Sequence, residues 1–111
     1  GMDVQVFALE KLIESSKMTN NALDQEHVTL HIRNNPELFS RINLHSTPEL
    51  YLPDLGLTLD EQEDYVLLKN IIEYFYDKGN PYFSCNDVVR YLKENPDLLK
   101  INSHIVRKGD T

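Results

Sequence analysis

The stretch LTLDEQEDYVLL, residues 57–68, decides how the chain is read. It joins a short apolar run, the acid Asp60, a cluster of further acids and the start of a helical apolar pattern. Asp60 has two readings. An Asp just before a helix accepts a hydrogen bond from a free backbone N–H of the first turn, and Glu63, three positions on, returns one in the manner of a capping box. Glu61, Glu63 and Asp64 add negative charge at the positive end of the helix dipole. The other reading is a metal-binding or catalytic carboxylate. The pattern favours the helix start. The helix then runs over 61–77. Leu68, Ile71, Ile72 and Phe75 make its stripe, and Tyr65 and Val66 widen it, which predicts burial on more than one side.

Downstream, DKGNPY (77–82) is a turn, and Ser84 with Asp87 three positions later predicts a capped helix whose inner face is Val88, Val89 and Leu92. Asn95-Pro96 ends it, because the residue before a proline is pushed out of the α region. Upstream, DVQVF (3–7), RINLHS (41–46) and the run GLTL (56–59) read as short strands. ALEKLIESSK (8–17) and a segment from about Asp24 to Asn35 read as helices. TPELYLPDLG (47–56) is a loop. The expected fold class is therefore α+β, helix-rich with a few short strands. IRNNPELFSRIN (32–43) and LKENPDLLKIN (92–102) share a helix end, an Asn-Pro stop and an apolar pair. Two copies do not make a solenoid; they use one helix-stop grammar twice.

The chain of 111 residues suits one small domain over 3–105, with Gly1 and Met2 as a tag remnant and start methionine and 106–111 as a polar tail. No apolar run reaches the length of a membrane span, no signal peptide opens the chain, and the single Cys85 excludes an internal disulfide. A cytoplasmic protein that does not enter a membrane is expected. The formal net charge of −7 repels phosphate backbones, so nucleic acid is not an expected partner.

Local chemistry is sparse. The four glycines form no phosphate-cradling loop. Cys85 falls in a predicted first helical turn, but a buried structural role is the expectation. His27 and His31 stand four apart, a spacing that places two imidazoles on one metal if the helix is continuous, against a packed or hydrogen-bonded helix face.

Three segments in order also resemble a known family. DVQVFALEKL (3–12), EHVTLHIRNNPELF (26–39) and LGLTLDEQEDYVLLKNIIEYFY (55–76), followed by NPYFSCNDVVRYLKENPDLLKIN (80–102), are similar to the C-terminal half of the cytidylyltransferases linked to spore-coat polysaccharide synthesis, which are related to CMP-Kdo synthetases. The resemblance implies part of a mixed α/β nucleotidyltransferase fold, which moves CMP from CTP onto a sugar acid with Mg²⁺ held by carboxylates. By resemblance, Glu26, His27 and Thr29 face the sugar and Asp60 takes the metal-binding place. The family's basic, Gly-containing CTP loop has no counterpart here, and Glu61-Gln62 replaces a Thr-Pro pair. A lone carboxylate is a poor Mg²⁺ site. The resemblance thus implies a truncated or partial enzyme, inactive in isolation, with no cofactor of its own and Mg²⁺ only when a CTP-binding half completes it. The expected partner is a second copy in a homodimer or a separately encoded N-terminal half. A non-catalytic interaction or dimerisation module is the alternative.

Overall fold

The computed structural model describes residues 2–107, so Gly1 and the last four residues of the expected tail lie outside the described residues. The chain divides into two compact units, Asp3–Leu44 and a second that begins at His45. Among the described residues every regular element is helical. This overturns the α+β expectation. A strand exists only where a partner supplies a ladder of hydrogen bonds. Val4, Val6, Ile42 and Leu44 of the two alternating segments are all more than four-fifths exposed, and among the described residues no strand pairs with them. GLTL is also irregular, and the Gly56 carbonyl is instead taken by the Asn102 side-chain amide at 2.8 Å.

The first unit holds helix α1 (Leu9–Met18), α2 (Ala22–Glu26) and α3 (Leu30–Asn34). The single helix expected after Asp24 is thus two short ones, broken at 27–29. Asn21 caps α2 by accepting from the Leu23 N–H at 2.9 Å, and His27 leaves the helical region at φ −107°, ψ 77°. Ser15, Leu30 and Phe39 are the buried residues of this unit.

The second unit holds a 3₁₀ turn at Pro48–Leu50, helix α4 (Gln62–Asp77), helix α5 (Cys85–Glu94) and a 3₁₀ helix at Pro96–Ile101. Leu67, Ile71 and Phe75 of α4 meet Val88 and Leu92 of α5 in one core, flanked by Leu55, Leu57, Leu98 and Leu99. Burying side chains of this kind contributes roughly 1.5–3 kcal/mol each. The α4 stripe is narrower than expected: Ile72 and Tyr65 are about half exposed and Val66 is exposed, so α4 buries one face. Its end is a Schellman motif, with Asn80 N–H on the Phe75 carbonyl and Gly79 N–H on that of Tyr76. Gly79 sits at φ 73°, a left-handed conformation that favours glycine. Ser84 and Asp87 cap α5 reciprocally, as expected.

The repeated Asn-Pro grammar has one stereochemistry. Asn35 and Asn95 both end their helices near φ −125°, ψ 67°. Each folds its amide back to the carbonyl four residues earlier, at 2.7 Å on His31 and 2.9 Å on Tyr91. Each carbonyl then accepts from the N–H three residues on, at 3.0 Å from Leu38 and from Leu98.

Candidate functional site

The stretch around Asp60 is built differently from the sequence expectation. The helix starts one residue later, with Glu61 as its N-cap and Asp64 at the third helical position. Asp64, not Glu63, returns the capping bond: its Oδ2 accepts from the N–H groups of Asp60 at 3.1 Å and Glu61 at 3.0 Å. Its carboxylate is fully buried. The fork of Arg107 closes on it, Nη1 at 2.7 Å and Nη2 at 2.6 Å, and Asn102 Nδ2 donates at 2.9 Å. Five donors on one carboxylate stabilise its ionised form. The Arg107 guanidinium first, then Asn102 and the two backbone N–H groups, hold Asp64 far below the usual carboxylate range against the opposing effect of burial. The reciprocal pull raises Arg107.

Asp60 is left outside this knot. Its side chain is 68% exposed and its Oδ2 lies 3.9 Å from Arg107 Nη1. A cation therefore stands beside the expected metal ligand. Among the described residues no three His, Cys, Asp or Glu side chains converge as a metal would need. The donors of this chain do not by themselves fit Mg²⁺, which takes several oxygens in near-octahedral array. Nothing in the sequence pattern marked Asp64 over Asp60, because the off-by-one helix start exchanges which acid is capping and which is free. Arg107 was placed in the expected tail; only its return to the α4 N-terminus shows its role.

Glu26, His27 and Thr29 occupy the break between α2 and α3. Glu26 ends α2 and is exposed, His27 is its C-cap, and Thr29 opens α3. The break carries its own hydrogen bonds, His27 N–H to the Leu23 carbonyl at 2.8 Å and Leu30 N–H to the His27 carbonyl at 2.7 Å. It also removes the continuous helix that the His27–His31 spacing required. His31 instead lies 3.8 Å from Asp24, hydrogen-bonds with Asn35 and meets Phe39 edge-on. Beside the break, α1 and α2 line a half-open cleft of about 160 Å³, into which Asp24 and His31 also face. Cys85, expected to be buried, is exposed and free at the start of α5. His104 lies 3.6 Å from Glu63 at the surface, a pair that exists only when the imidazole is protonated.

Over 74 residues the chain is 38% identical to the spore coat polysaccharide biosynthesis protein SpsF of Bacillus subtilis, a match that covers 66% of this chain and 30% of that protein. Over 109 residues it is 29% identical to an uncharacterized protein of Methanocaldococcus jannaschii, covering 98% of this chain and 44% of the relative. The chain thus spans less than half the length of the curated relatives it matches. No protein-family model matches the chain, and no solved structure does. The chain is related, over part of its length, to a protein of spore coat polysaccharide biosynthesis. Among the described residues no helix is long and apolar enough to cross a membrane.

Proposed function

We propose that the chain is one portion of a cytidylyltransferase-like machinery of surface-polysaccharide biosynthesis, and that it does not catalyse transfer alone. The observation that carries this reading is the 38% identity to SpsF, spread over a stretch that covers only 30% of that relative. The local geometry supports it. Asp60 is exposed and its N–H is held by Asp64, but among the described residues no cluster of carboxylates joins it, so a cation there would need donors from further polypeptide. The same further polypeptide would cover Val4, Val6, Ile42 and Leu44, whose period-two alternation suits strands added to a sheet. A homodimer that buries these residues is the second reading, which the same four exposed side chains favour.

Melting of the pure protein with CTP and Mg²⁺ tests the claim of inactivity. A ligand that binds only the native state adds about 2.7 kcal/mol at roughly 100 times its Kd. We expect no shift and no pyrophosphate release. A shift of several degrees with pyrophosphate release would show an autonomous enzyme and sink the reading. Supplying the remaining length of the relatives as a second chain should restore CTP-dependent pyrophosphate release, and Asp60→Asn should then abolish it. Light scattering separates the second reading: a dimer mass that survives addition of that second chain favours it.

A further inference from the structure

We propose that Tyr74 and Tyr91 form an oxidative cross-linking site, at which two equivalents of a one-electron oxidant join α4 to α5 through a carbon–carbon bond between the two rings. The geometry of the pair carries the proposal, which does not depend on the transferase reading.

The two rings come from different helices and lie face to face, with centroids 3.9 Å apart and planes 13° from parallel. Aromatic pairs usually keep their centroids about 4.5–7 Å apart. Parallel rings this close bring a carbon ortho to one hydroxyl into van der Waals contact with an ortho carbon of the other, whatever their relative rotation. These are the carbons at which phenoxyl radicals couple. The separation is close to that of a pair poised to react, about 3–3.5 Å. The pair is also fixed. Phe75 meets Tyr74 edge-on at 5.0 Å and Tyr91 edge-on at 5.6 Å, and is itself stacked on Phe83 at 4.7 Å. Neither phenylalanine carries a hydroxyl, so this cluster offers a phenoxyl radical no other partner.

Oxidant reaches the pair from the Tyr74 side, because Tyr74 is 36% exposed while Tyr91 packs against the core. Burial raises the pKa of the Tyr91 phenol, so at neutral pH it gives up a proton with its electron. Each phenol loses one electron to the oxidant and one proton to water, which leaves two phenoxyl radicals. Their unpaired electrons form one bond between ortho carbons. The hydrogen on each bonded carbon then moves to the oxygen of its ring and restores two phenols. The net loss is two electrons and two protons. Tyr51, Tyr65, Tyr76 and Tyr82 are each more than half exposed, and among the described residues no tyrosine ring stacks on them. A radical on any of these meets a second one mainly by collision between chains. The Tyr74–Tyr91 bond closes the segment 74–91 into a loop and so restrains the unfolded chain.

Photo-oxidation of the full chain with tris(bipyridyl)ruthenium(II) and persulfate tests this. The Cys85→Ser background is used, because Cys85 is an exposed thiol that consumes oxidant. Dityrosine fluorescence of the monomer fraction and peptide mass mapping read the cross-link. We expect a Tyr74–Tyr91 cross-linked peptide lighter by two hydrogens. Its yield should stay constant within about twofold over a dilution of about tenfold, since coupling within one chain does not depend on concentration. Tyr74→Phe and Tyr91→Phe keep both rings and should each lower the monomer yield at least about tenfold, whereas Tyr82→Phe should leave it unchanged. The cross-linked monomer should unfold at higher urea than the untreated chain. No cross-link on the monomer, a cross-link between other tyrosines, a yield that falls in proportion to dilution, or one undiminished in unfolding urea would each overturn the proposal. Because no CTP is present, these outcomes are separate from those that test the transferase reading.

Discussion

Replacing Arg107 with alanine tests the buried knot at the start of α4. The change leaves the Asp64 carboxylate buried with three donors, the Asn102 amide and the N–H groups of Asp60 and Glu61, but without its counter-charge. Removing one partner of a buried ion pair costs about 3–5 kcal/mol. The Arg107 side chain is 23% exposed, so water reaches the vacated place, and the lower end, about 3 kcal/mol, is expected. Urea unfolding followed by tyrosine fluorescence isolates this effect. The chain has no tryptophan, and all six tyrosines lie between Tyr51 and Tyr91, in the same unit as the pair. The pH dependence gives a second, independent signature. A carboxyl whose folded pKa is depressed stabilises the fold above its unfolded value, about 3.9, and that stability is lost as pH falls toward the folded value. Wild type should therefore lose this contribution progressively below about pH 4. In R107A the main depressing partner is gone while burial remains, so Asp64 is an unfavourable charge at neutral pH and protonation relieves it. The stability gap should be widest near pH 7 and should narrow below about pH 4. A gap under about 0.5 kcal/mol at pH 7, or one that stays constant between about pH 2 and 7, would refute the argument.

Three further outcomes follow from the same structure. A Cβ on Gly56 would stand 2.6 Å from Arg107 Nη2, so Gly56→Ala should displace the fork and cost about 1–3 kcal/mol in the same urea assay; combined with R107A its cost should largely vanish. Ser84→Ala removes an acceptor for the Asp87 N–H at 3.2 Å and a donor to its carboxylate, and should cost about 1 kcal/mol of stability by chemical denaturation. Cys85 should react with a disulfide reagent in the native protein as fast as in urea, within about threefold; protection beyond about tenfold would contradict its exposure.

The legible parts of the fold were those dictated by local chemistry. Ser84 with Asp87, the Asn95-Pro96 stop and the Val88, Val89, Leu92 face each need only neighbours within one or two helical turns. The misread parts depended on distant partners. DVQVF and RINLHS have the alternation of strands, but alternation shows only which side could be buried; the sheet that would bury it is not among the described residues. Cys85 was misplaced for a related reason. The average cysteine is buried, yet the first helical position after Ser84 lies outside the Val88–Leu92 face. In the 24–35 segment, helical spacing was read across 27–29, where His27 leaves the helical region and separates the two histidines.

The acids after Leu59 join these two lessons. Spacing pointed to Asp60 as cap or ligand and gave Asp64 only a part in the charge at the helix start. Three-dimensional accounting separates them. Asp64 has five donors and no accessible surface, so it has no free oxygen for a ligand. Asp60 gives its backbone N–H to the knot, while its largely exposed carboxylate makes only a long ion pair with Arg107 at 3.9 Å. One acid fixes the backbone, and the other is presented by it. The exposed acid also carries a cost in this chain, because Arg107 lies 3.9 Å away and would repel a divalent ion. A cation could settle at Asp60 only if incoming carboxylates outweighed that guanidinium, since Arg107 cannot turn away without uncovering Asp64. The position of Asp60 is set by the buried pair within the chain, and the guanidinium beside it opposes a cation there.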